Sequence, residues 1–407
     1  MPFSAARLWH WVGWKARLHV RTLAGLADGF LLLRKPPTPS SPMPSMAFIR
    51  MDGIGDFWLT LPFISALRQA YPYHYFVLIA NEAWADLAEY TKLFDRVLSL
   101  SPVRLRHSFS YRRRALKILR QTFPPIETLW QPTAGRRLIV EDLLAWAIPA
   151  ARRITRKRDK LTGEPCYLPL LDKWVYQEVY PLNQELSIHE WLRYQQWLNE
   201  MGLGRLDFTI YARMRERLLP FYSNGHFYIA IVLGAQLSAR RMPFSLMVRL
   251  IRTLHERTYL PIQLIGTQSE QALAQALVDQ LRNVPIEPLI GRLSLVEAAA
   301  RVMHASFVIA PETGLAHIAA TANVPTLILA GGGHWGRFIP YPEKAPFRVK
   351  VLVHPMPCFG CNWLCYHQFS KKDAFPCIRL LESGAIEEEI VDWLSATLGA
   401  PLQSAHG

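Results

Sequence analysis

The sequence predicts an α/β protein built from two similar halves, and three observations support this prediction. Apolar segments of strand length alternate with helical patterns along most of the 407 residues. An apolar run at 46–49 leads into a glycine turn, and a second run at 307–310 leads into another. Such alternation is typical of mostly parallel sheets covered by helices.

Each half has its own series of elements. The first predicts helices at 57–70, 82–90, 109–121, 138–147 and 184–201 and strands at 46–50, 75–80, 96–100 and 126–130. The second predicts helices at 245–257, 269–281, 294–303, 313–322 and 386–398 and strands at 227–232, 261–265, 307–310, 326–329 and 348–353. Four parts are therefore expected: an N-terminal helix and linker (1–45), a first Rossmann-like domain (46–215), a second one (216–385) and a C-terminal helix and tail (386–407).

Composition limits the class of protein. Half of the residues are apolar and 19% are charged, which favours a large core and excludes global disorder. The formal net charge of +14 favours an anionic partner. Between residues 101 and 160 there are 15 Lys or Arg against 4 Asp or Glu, with dense runs at 112–114 and 152–158. These runs are either a solvated face or a surface for an acidic or phosphorylated acceptor.

The start of the chain is basic and amphipathic. Residues 4–33 have a helical pattern with tryptophans, and the Pro-rich segment 36–42 predicts a stiff linker. The helix either lies on the inner leaflet of a membrane or docks on its own domain or on another subunit, so an oligomer is left open. There is no apolar run of 18 residues and no cleavable signal pattern, so a cytoplasmic protein, peripheral at most, is expected.

The first glycine turn carries a candidate catalytic carboxylate. Gly53 and Gly55 follow the first predicted strand, and Asp56 then lies at the start of the helix. Glycines permit a tight turn and a close approach to a ligand. A carboxylate at this position either caps the helix or accepts a proton from a substrate hydroxyl.

The second half offers a candidate anion site. Glu312, Thr313 and Gly314 link a strand to a helix whose first amides would point at a diphosphate. A glycine turn after the strand at 227–232 leads to Ser238, Arg240 and Arg241, a hydroxyl and two cations suited to phosphate.

Together these segments resemble glycosyltransferase family 9, the ADP-heptose:lipopolysaccharide heptosyltransferases. The resemblance covers roughly residues 46–380 and rests on blocks at 50–62, 234–243, 311–320 and 331–341. It implies a GT-B architecture, in which two Rossmann-like domains face each other across a cleft. It also implies inverting, metal-independent transfer of a heptose from a donor such as ADP-heptose.

The resemblance also assigns roles to residues. Asp56 is expected to be the general base, with Gly53 and Gly55 on the acceptor side. The basic run at 112–114 adds Arg112 and Arg113 as expected acceptor-side residues because of its charge. The expected donor contacts are Ser238, Arg240, Arg241, Glu312, Thr313, Gly314, His317 and Gly332. The chain departs from the family pattern at Met242, where tryptophan is usual, and at Glu312, where aspartate is common.

Four of the five cysteines form a cluster with the spacing C-x2-C-x3-C-x11-C. They are Cys358, Cys361, Cys365 and Cys377. Four thiolates are a good tetrahedral set for a structural iron or zinc ion. The block is similar to the iron site of autotransporter heptosyltransferases, although reduced core cysteines without metal are the alternative. Cys166 stands alone.

Three functions follow from these observations. The leading one is heptose transfer to a cell-surface glycan such as the lipopolysaccharide core, without a nucleic-acid partner. The second is transfer to serine hydroxyls of an autotransporter protein, which the cysteine block favours. The third, from another class, is a basic, metal-binding nucleic-acid-binding protein, which the charge and a C-x2-C pair permit.

Overall fold

The fold is taken from a computed structural model that describes residues 38, 43–123, 125–133, 135–157, 169–181, 188–222, 225, 227–343, 345, 347–367, 373–383, 389–390 and 393. The chain divides into two compact units. The first unit comprises Met1–Met51, Tyr73–Ala85 and Phe94–Leu182. The second comprises Asp52–Pro72, Asp86–Leu93 and Asn183–Gly407.

The first unit is built on a six-stranded parallel sheet of order β3-β2-β1-β4-β5-β6. Its strands are β1 (Met43–Arg50), β2 (Tyr75–Asn81), β3 (Arg96–Leu100), β4 (Ile126–Gln131), β5 (Ala150–Arg156) and β6 (Glu178–Tyr180). The central strand β1 is almost continuously apolar and ends in six buried residues. This is the expected composition of a parallel strand covered on both faces.

The second unit has a six-stranded parallel sheet of the same kind, with order β12-β11-β10-β7-β8-β9. Its strands are β7 (Ile229–Val232), β8 (Ile262–Ile265), β9 (Ile286–Pro288), β10 (Phe307–Pro311), β11 (Thr326–Leu329) and β12 (Val349–Leu352). Buried residues of β7, β8, β10 and β11 form one core with the helices that follow β7 and β8.

Helices connect the strands. They are α1 (Ile54–Ala70), α2 (Ala85–Glu89), α3 (Pro102–His107), α4 (Phe109–Thr122), α5 (Leu143–Ala147), α6 (Pro169–Val175), α7 (Glu190–Glu200), α8 (Thr209–Leu218), α9 (Phe244–Thr258), α10 (Gln271–Gln280), α11 (Leu295–His304), α12 (Gly314–Thr321) and α13 (Pro376–Arg379). A π-helical turn, Leu138–Asp142, precedes α5. Among the described residues, no helix is long and apolar enough to cross a membrane.

Local sequence signals explain several helix starts. A capping box starts α11. The Ser294 hydroxyl accepts a hydrogen bond from the backbone N–H of Glu297, and the Glu297 carboxylate accepts one from the backbone N–H of Ser294. Ser108 caps α4 by accepting from the backbone N–H of Tyr111. Helix α1 begins without a side-chain cap at Gly53, although Asp56 lies in its first turn.

The α/β prediction is confirmed, with three strands added. The sequence did not predict β5, β6 or β9, because β6 and β9 have only three residues each and β5 carries arginines that conceal its periodicity. The helix predicted at 4–33 and Cys166 lie outside the described residues, as do all of the linker 36–42 but residue 38 and most of 386–398.

The arginine run at 152–158 needs a correction. It was predicted to be a solvated face or an acceptor surface, but residues 152–156 lie in β5, where Arg153 and Arg156 are buried. The Arg153 guanidinium donates to the carbonyl oxygens of Ala145, Ile148 and Ala150 at 2.7–3.0 Å. Burial lowers the pKa of Arg153 to about 10, which still leaves the side chain charged at neutral pH.

Replacing this buried arginine should destabilise the protein far more than replacing its neighbour. Arg153→Met leaves three carbonyl oxygens without their donor, so we expect a loss of about 3 kcal/mol in the free energy of unfolding. The matched control is Arg152→Met on the same strand, since Arg152 is exposed and forms an ion pair with the partly exposed Glu178. That change should cost less than about 1 kcal/mol. Equal shifts of the two variants in urea titrations would contradict this account of β5.

Candidate active site

The candidate site lies at the carboxyl edge of the sheet in the second unit. Chain order in this sheet runs outwards from β7 to one side and from β10 to the other, so the switch point lies between these two strands. Ligands of open α/β sheets bind outside the strand ends at such a point. Strand β7 is followed by Gly234 and a helical turn, Ser238–Arg240, while β10 leads through Glu312 and Thr313 into α12.

Two glycines let the first turns of α1 and α12 touch. A Cβ atom on Gly314 would lie 2.1 Å from Cγ2 of Ile54, a distance no side chain tolerates. A Cβ on Gly55 would lie 3.1 Å from Cδ2 of His317 and 3.6 Å from Cα of Gly314. Close approach, rather than an unusual backbone angle, therefore explains Gly314. The contact brings Asp56 beside the start of α12.

Asp56 belongs to a chain of three charged side chains that are buried or half-buried. Its Oδ1 atom lies 3.4 Å from a guanidinium nitrogen of Arg337, whose Nε donates to Glu190 at 3.0 Å. Glu190 is buried, and about a quarter of the Asp56 side chain, 23%, is exposed. Burial opposes the charge on Arg337, but the carboxylates of Glu190 and Asp56 outweigh it and raise its pKa. Asp56 is thus held by an ion pair while it remains partly accessible.

A second buried carboxylate organises the β10 side of the edge. Glu312 accepts from Nδ1 of His334 at 2.9 Å and forms an ion pair with Arg240 at 3.1 Å. Arg240 also donates to the backbone carbonyl of Glu312 and lies over the ring of Trp363, 4.5 Å from its centroid. Burial acts to raise the pKa of Glu312, but His334 and Arg240 overcome it and the pKa is lowered. Glu312 is therefore a fixed anion.

Three buried hydrogen-bond donors in the turns that follow β7 and β10 have no partner among the described residues. They are Nε of Arg240, Nε of Arg241 and Oγ1 of Thr313. Thr313 occupies the N-cap position of α12 without capping it. Arg241 forms an ion pair with Glu270 through a terminal guanidinium nitrogen, so its Nε takes no part in that pair. Because buried donors are nearly always paired in proteins, this set indicates an acceptor-rich ligand.

His317 is a neutral group in the same region. It is buried on α12, and its Nδ1 shares a 2.6 Å hydrogen bond with the hydroxyl of Tyr341. Burial lowers the pKa of His317 to about 4, although Glu312 opposes the shift. Burial also raises the pKa of the Tyr341 phenol, so both groups are uncharged at neutral pH. Ser238, by contrast, is exposed at the start of its helical turn.

The glycine triplet 331–333 supports a neighbouring loop. Cβ atoms on Gly332 and Gly333 would meet the rings of Phe359 and Trp363 at 1.9 and 2.3 Å. The loop adds backbone hydrogen bonds to this segment, from Gly360 N to Gly332 O at 2.7 Å and from Asn362 N to Gly333 O at 2.8 Å. Gly332, which was expected to contact the donor, is thus in contact with the ring of Phe359.

The four clustered cysteines line one pocket. Its walls also include Trp363, His367, Phe375 and Met356. All four thiols are free, and burial together with the neighbouring cysteines raises the pKa of Cys361 and Cys377. Among the described residues, no three His, Cys, Asp or Glu side chains have the geometry to hold a metal ion. The segment also has a small apolar core of its own at Phe375, Cys377 and Ile378.

The expected acceptor-side arginines lie on α4 in the first unit. Arg112 is 4% exposed, and it donates to the carbonyl oxygens of Leu105 and Arg106 at 2.6 and 3.3 Å. These bonds stabilise the end of α3. Arg113 is exposed, with its guanidinium over the ring of Phe109. The Arg113 side chain is therefore accessible to a ligand, whereas the Arg112 side chain is buried against backbone carbonyl oxygens.

Sequence reasoning missed the partners of the expected residues. Arg337 and His334 were seen only as part of a glycine-rich segment, and Tyr341, Trp363 and Glu190 were given no role. The pairing of Arg337 with Asp56 joins positions 281 residues apart and leaves no local signal. The polar character of His334 and Arg337 directly after a strand and glycines was the one available hint.

Residues 197–366 match the family model described as glycosyltransferase family 9 (heptosyltransferase). The chain is a glycosyltransferase that resembles the heptosyltransferases of this family. The matched segment contains the β7 and β10 edge of this glycosyltransferase and the first three clustered cysteines. No curated protein sequence shows significant similarity to it.

Solved structures agree with this assignment at the level of the fold. A family 9 glycosyl transferase from Veillonella parvula has a TM-score of 0.62 and 16% identity, with 89% of this glycosyltransferase and 99% of that chain covered. E. coli heptosyltransferase WaaC, solved with ADP-2-deoxy-2-fluoro heptose, has a TM-score of 0.62 and 17% identity over 86% and 99%. E. coli ADP-heptose lps heptosyltransferase II has a TM-score of 0.59 and 14% identity over 87% and 98%. The GT-B fold class is confirmed.

Proposed function

We propose that the protein transfers a heptose, or a closely related sugar, from a nucleotide-sugar donor to a hydroxyl group of an anionic acceptor. ADP-heptose is the first candidate donor, since the WaaC structure was solved with an analogue of it. The observation that carries the proposal is the set of unpaired buried donors at the β7 and β10 edge: Arg240 Nε, Arg241 Nε and Thr313 Oγ1. A diphosphate supplies the acceptor oxygens that these donors lack.

In the proposed reaction, Asp56 accepts the proton of the acceptor hydroxyl. The hydroxyl oxygen attacks the anomeric carbon of the sugar, and the nucleoside diphosphate leaves with the electrons of the broken bond. Arg240, Arg241 and the first amides of α12 stabilise the charge on the leaving group. Arg337 holds the Asp56 carboxylate, and its other partner, Glu190, holds Arg337. No step requires a metal ion.

The acceptor is proposed to be an anionic glycan such as the lipopolysaccharide core. The net charge of +14 supports an anionic acceptor, and the exposed Arg113 is its candidate contact on α4. A serine hydroxyl of an autotransporter protein is the second candidate, favoured by the cysteine cluster. Product analysis with the two acceptors separates these candidates.

Asp56→Asn should abolish most of the activity without weakening donor binding. The amide keeps the shape of the side chain but cannot accept a proton, so turnover should fall by roughly 10²–10⁴-fold. Glu190→Gln is the matched control, because it neutralises the other partner of Arg337 and leaves the proposed base intact. Turnover is measured with saturating donor, and ADP affinity by calorimetry. An Asn variant with near wild-type turnover removes Asp56 from this role.

Replacing Arg240 and Arg241 together by alanine should weaken ADP binding. Loss of charged hydrogen bonds to the diphosphate predicts an affinity at least roughly tenfold lower. Arg252→Ala is the control, since this arginine is exposed on α9. Calorimetry with ADP gives the comparison, and melting curves check that the variants fold. Unchanged affinity for ADP would mean that the two arginines form ion pairs with Glu312 and Glu270 but do not bind the diphosphate.

We also propose that the cysteine cluster holds one structural iron or zinc ion. Support comes from the donor set, since four thiols line a single pocket and thiolates suit both metals. Cys358, Cys361, Cys365 and Cys377 would be the ligands, and a bound ion would tie together the loop around them. Because thiols must lose their protons to bind, metal uptake should release protons.

Elemental analysis of protein purified without chelator should give about one equivalent of iron or zinc per chain. Cys361→Ser should lower the metal content and the melting temperature, because binding energy at such a site is folding energy. The control is Cys166→Ser, at the cysteine outside the cluster. Less than about a tenth of an equivalent of metal, with four freely titratable thiols in the folded state, would identify them as reduced core cysteines.

A further inference from the structure

The loop that carries the first three clustered cysteines also carries Trp363, and this ring lies directly beneath Arg240. The Arg240 guanidinium carbon is 4.5 Å from the ring centroid. Arg240 also contacts Glu312, through an ion pair with the carboxylate and a hydrogen bond to the backbone carbonyl. Arg240 is 7% exposed, so water screens neither contact. Its guanidinium is thus held between a carboxylate and an indole.

The position of Trp363 is itself strongly determined. Its ring fills the space that a side chain on Gly333 would need, and it packs on Phe375 at 5.2 Å and against His334 at 5.6 Å between ring centroids. The backbone hydrogen bond from Asn362 to Gly333 anchors the preceding residue. The indole therefore cannot turn away from Arg240 without breaking this packing.

The backbone at this point is strained. Asn362 and Trp363 have φ angles of +50° and +63°, in the left-handed region. A bulky aromatic residue is a true outlier there, and such conformations persist where surrounding contacts impose them, often at functional sites. Trp363, whose ring meets Arg240, is one of these two residues.

We propose that Trp363 is a positioning residue for the donor diphosphate. Its ring holds the Arg240 guanidinium by a cation–π contact in the orientation that leaves Nε for the phosphates. This inference rests on the proposed function, because it takes Arg240 to be a donor-binding residue. The loop with the first three clustered cysteines would then orient a donor-binding arginine in addition to holding a structural metal ion.

The test compares Trp363→Leu with Trp363→Phe and with Phe359→Leu. Leucine removes the aromatic face, so the dissociation constant for ADP should rise about tenfold. Phenylalanine keeps a π face and should restore most of the affinity. Phe359→Leu is the matched control in the same loop, because its ring packs on Gly332 and Trp335. Turnover at saturating donor should stay within about twofold of wild type in the Phe359→Leu control.

Arg240→Ala separates the possible failures. In that background, Trp363→Leu should have no further effect on ADP affinity, as expected for two groups acting through one contact. Additive losses, or equal losses in Trp363→Leu and Phe359→Leu, would show that Trp363 only stabilises the loop and would overturn the inference. An Arg240→Ala variant with wild-type ADP affinity would overturn the donor assignment itself. Weakened binding in Arg240→Ala with unchanged binding in Trp363→Leu would overturn the inference alone.

Discussion

The candidate active site depends on the close approach of α1 and α12 at Gly55 and Gly314. A side chain on Gly314 would overlap Ile54, so only glycine allows the two helix starts to touch. Further along the same pair, Trp58 donates to the hydroxyl of Thr321 at 2.7 Å in a buried hydrogen bond, which fixes the rotation of one helix against the other. Since packed interiors tolerate little displacement, the contact positions Asp56 and His317 together.

The buried carboxylates Glu190 and Glu312 each have an arginine partner near this contact. Glu190 and Asp56 flank Arg337, while Arg240 and His334 meet Glu312. Isolated buried charges would be costly, and these pairs remove that cost before any substrate binds. The few hydrogen-bond donors that remain unpaired are then available to a ligand. Such a preorganised site requires little rearrangement when charge develops on a leaving group.

Much of the fold could be predicted from the sequence, because strand and helix periodicity and the glycine turns are local signals. Strand β5 could not be predicted, because its three arginines give it the composition of a solvated surface. The carbonyl oxygens that pair with the buried Arg153 are visible only in the structure. Gly332 was expected to contact the donor, but its packing with Phe359, and that of Gly333 with Trp363, had no sequence signal. Partners far apart in the chain, such as Asp56 and Arg337, have no sequence signature at all.

The central claim is that the unpaired donors at the β7 and β10 edge bind the diphosphate of the sugar nucleotide. An experimental structure of the protein with ADP tests it most directly. The account predicts phosphate oxygens within hydrogen-bond distance of Thr313 Oγ1 and Arg240 Nε, with the first amides of α12 facing the same group. ADP bound at another place, with Arg240 Nε and Thr313 Oγ1 turned to water or to protein atoms, would contradict it.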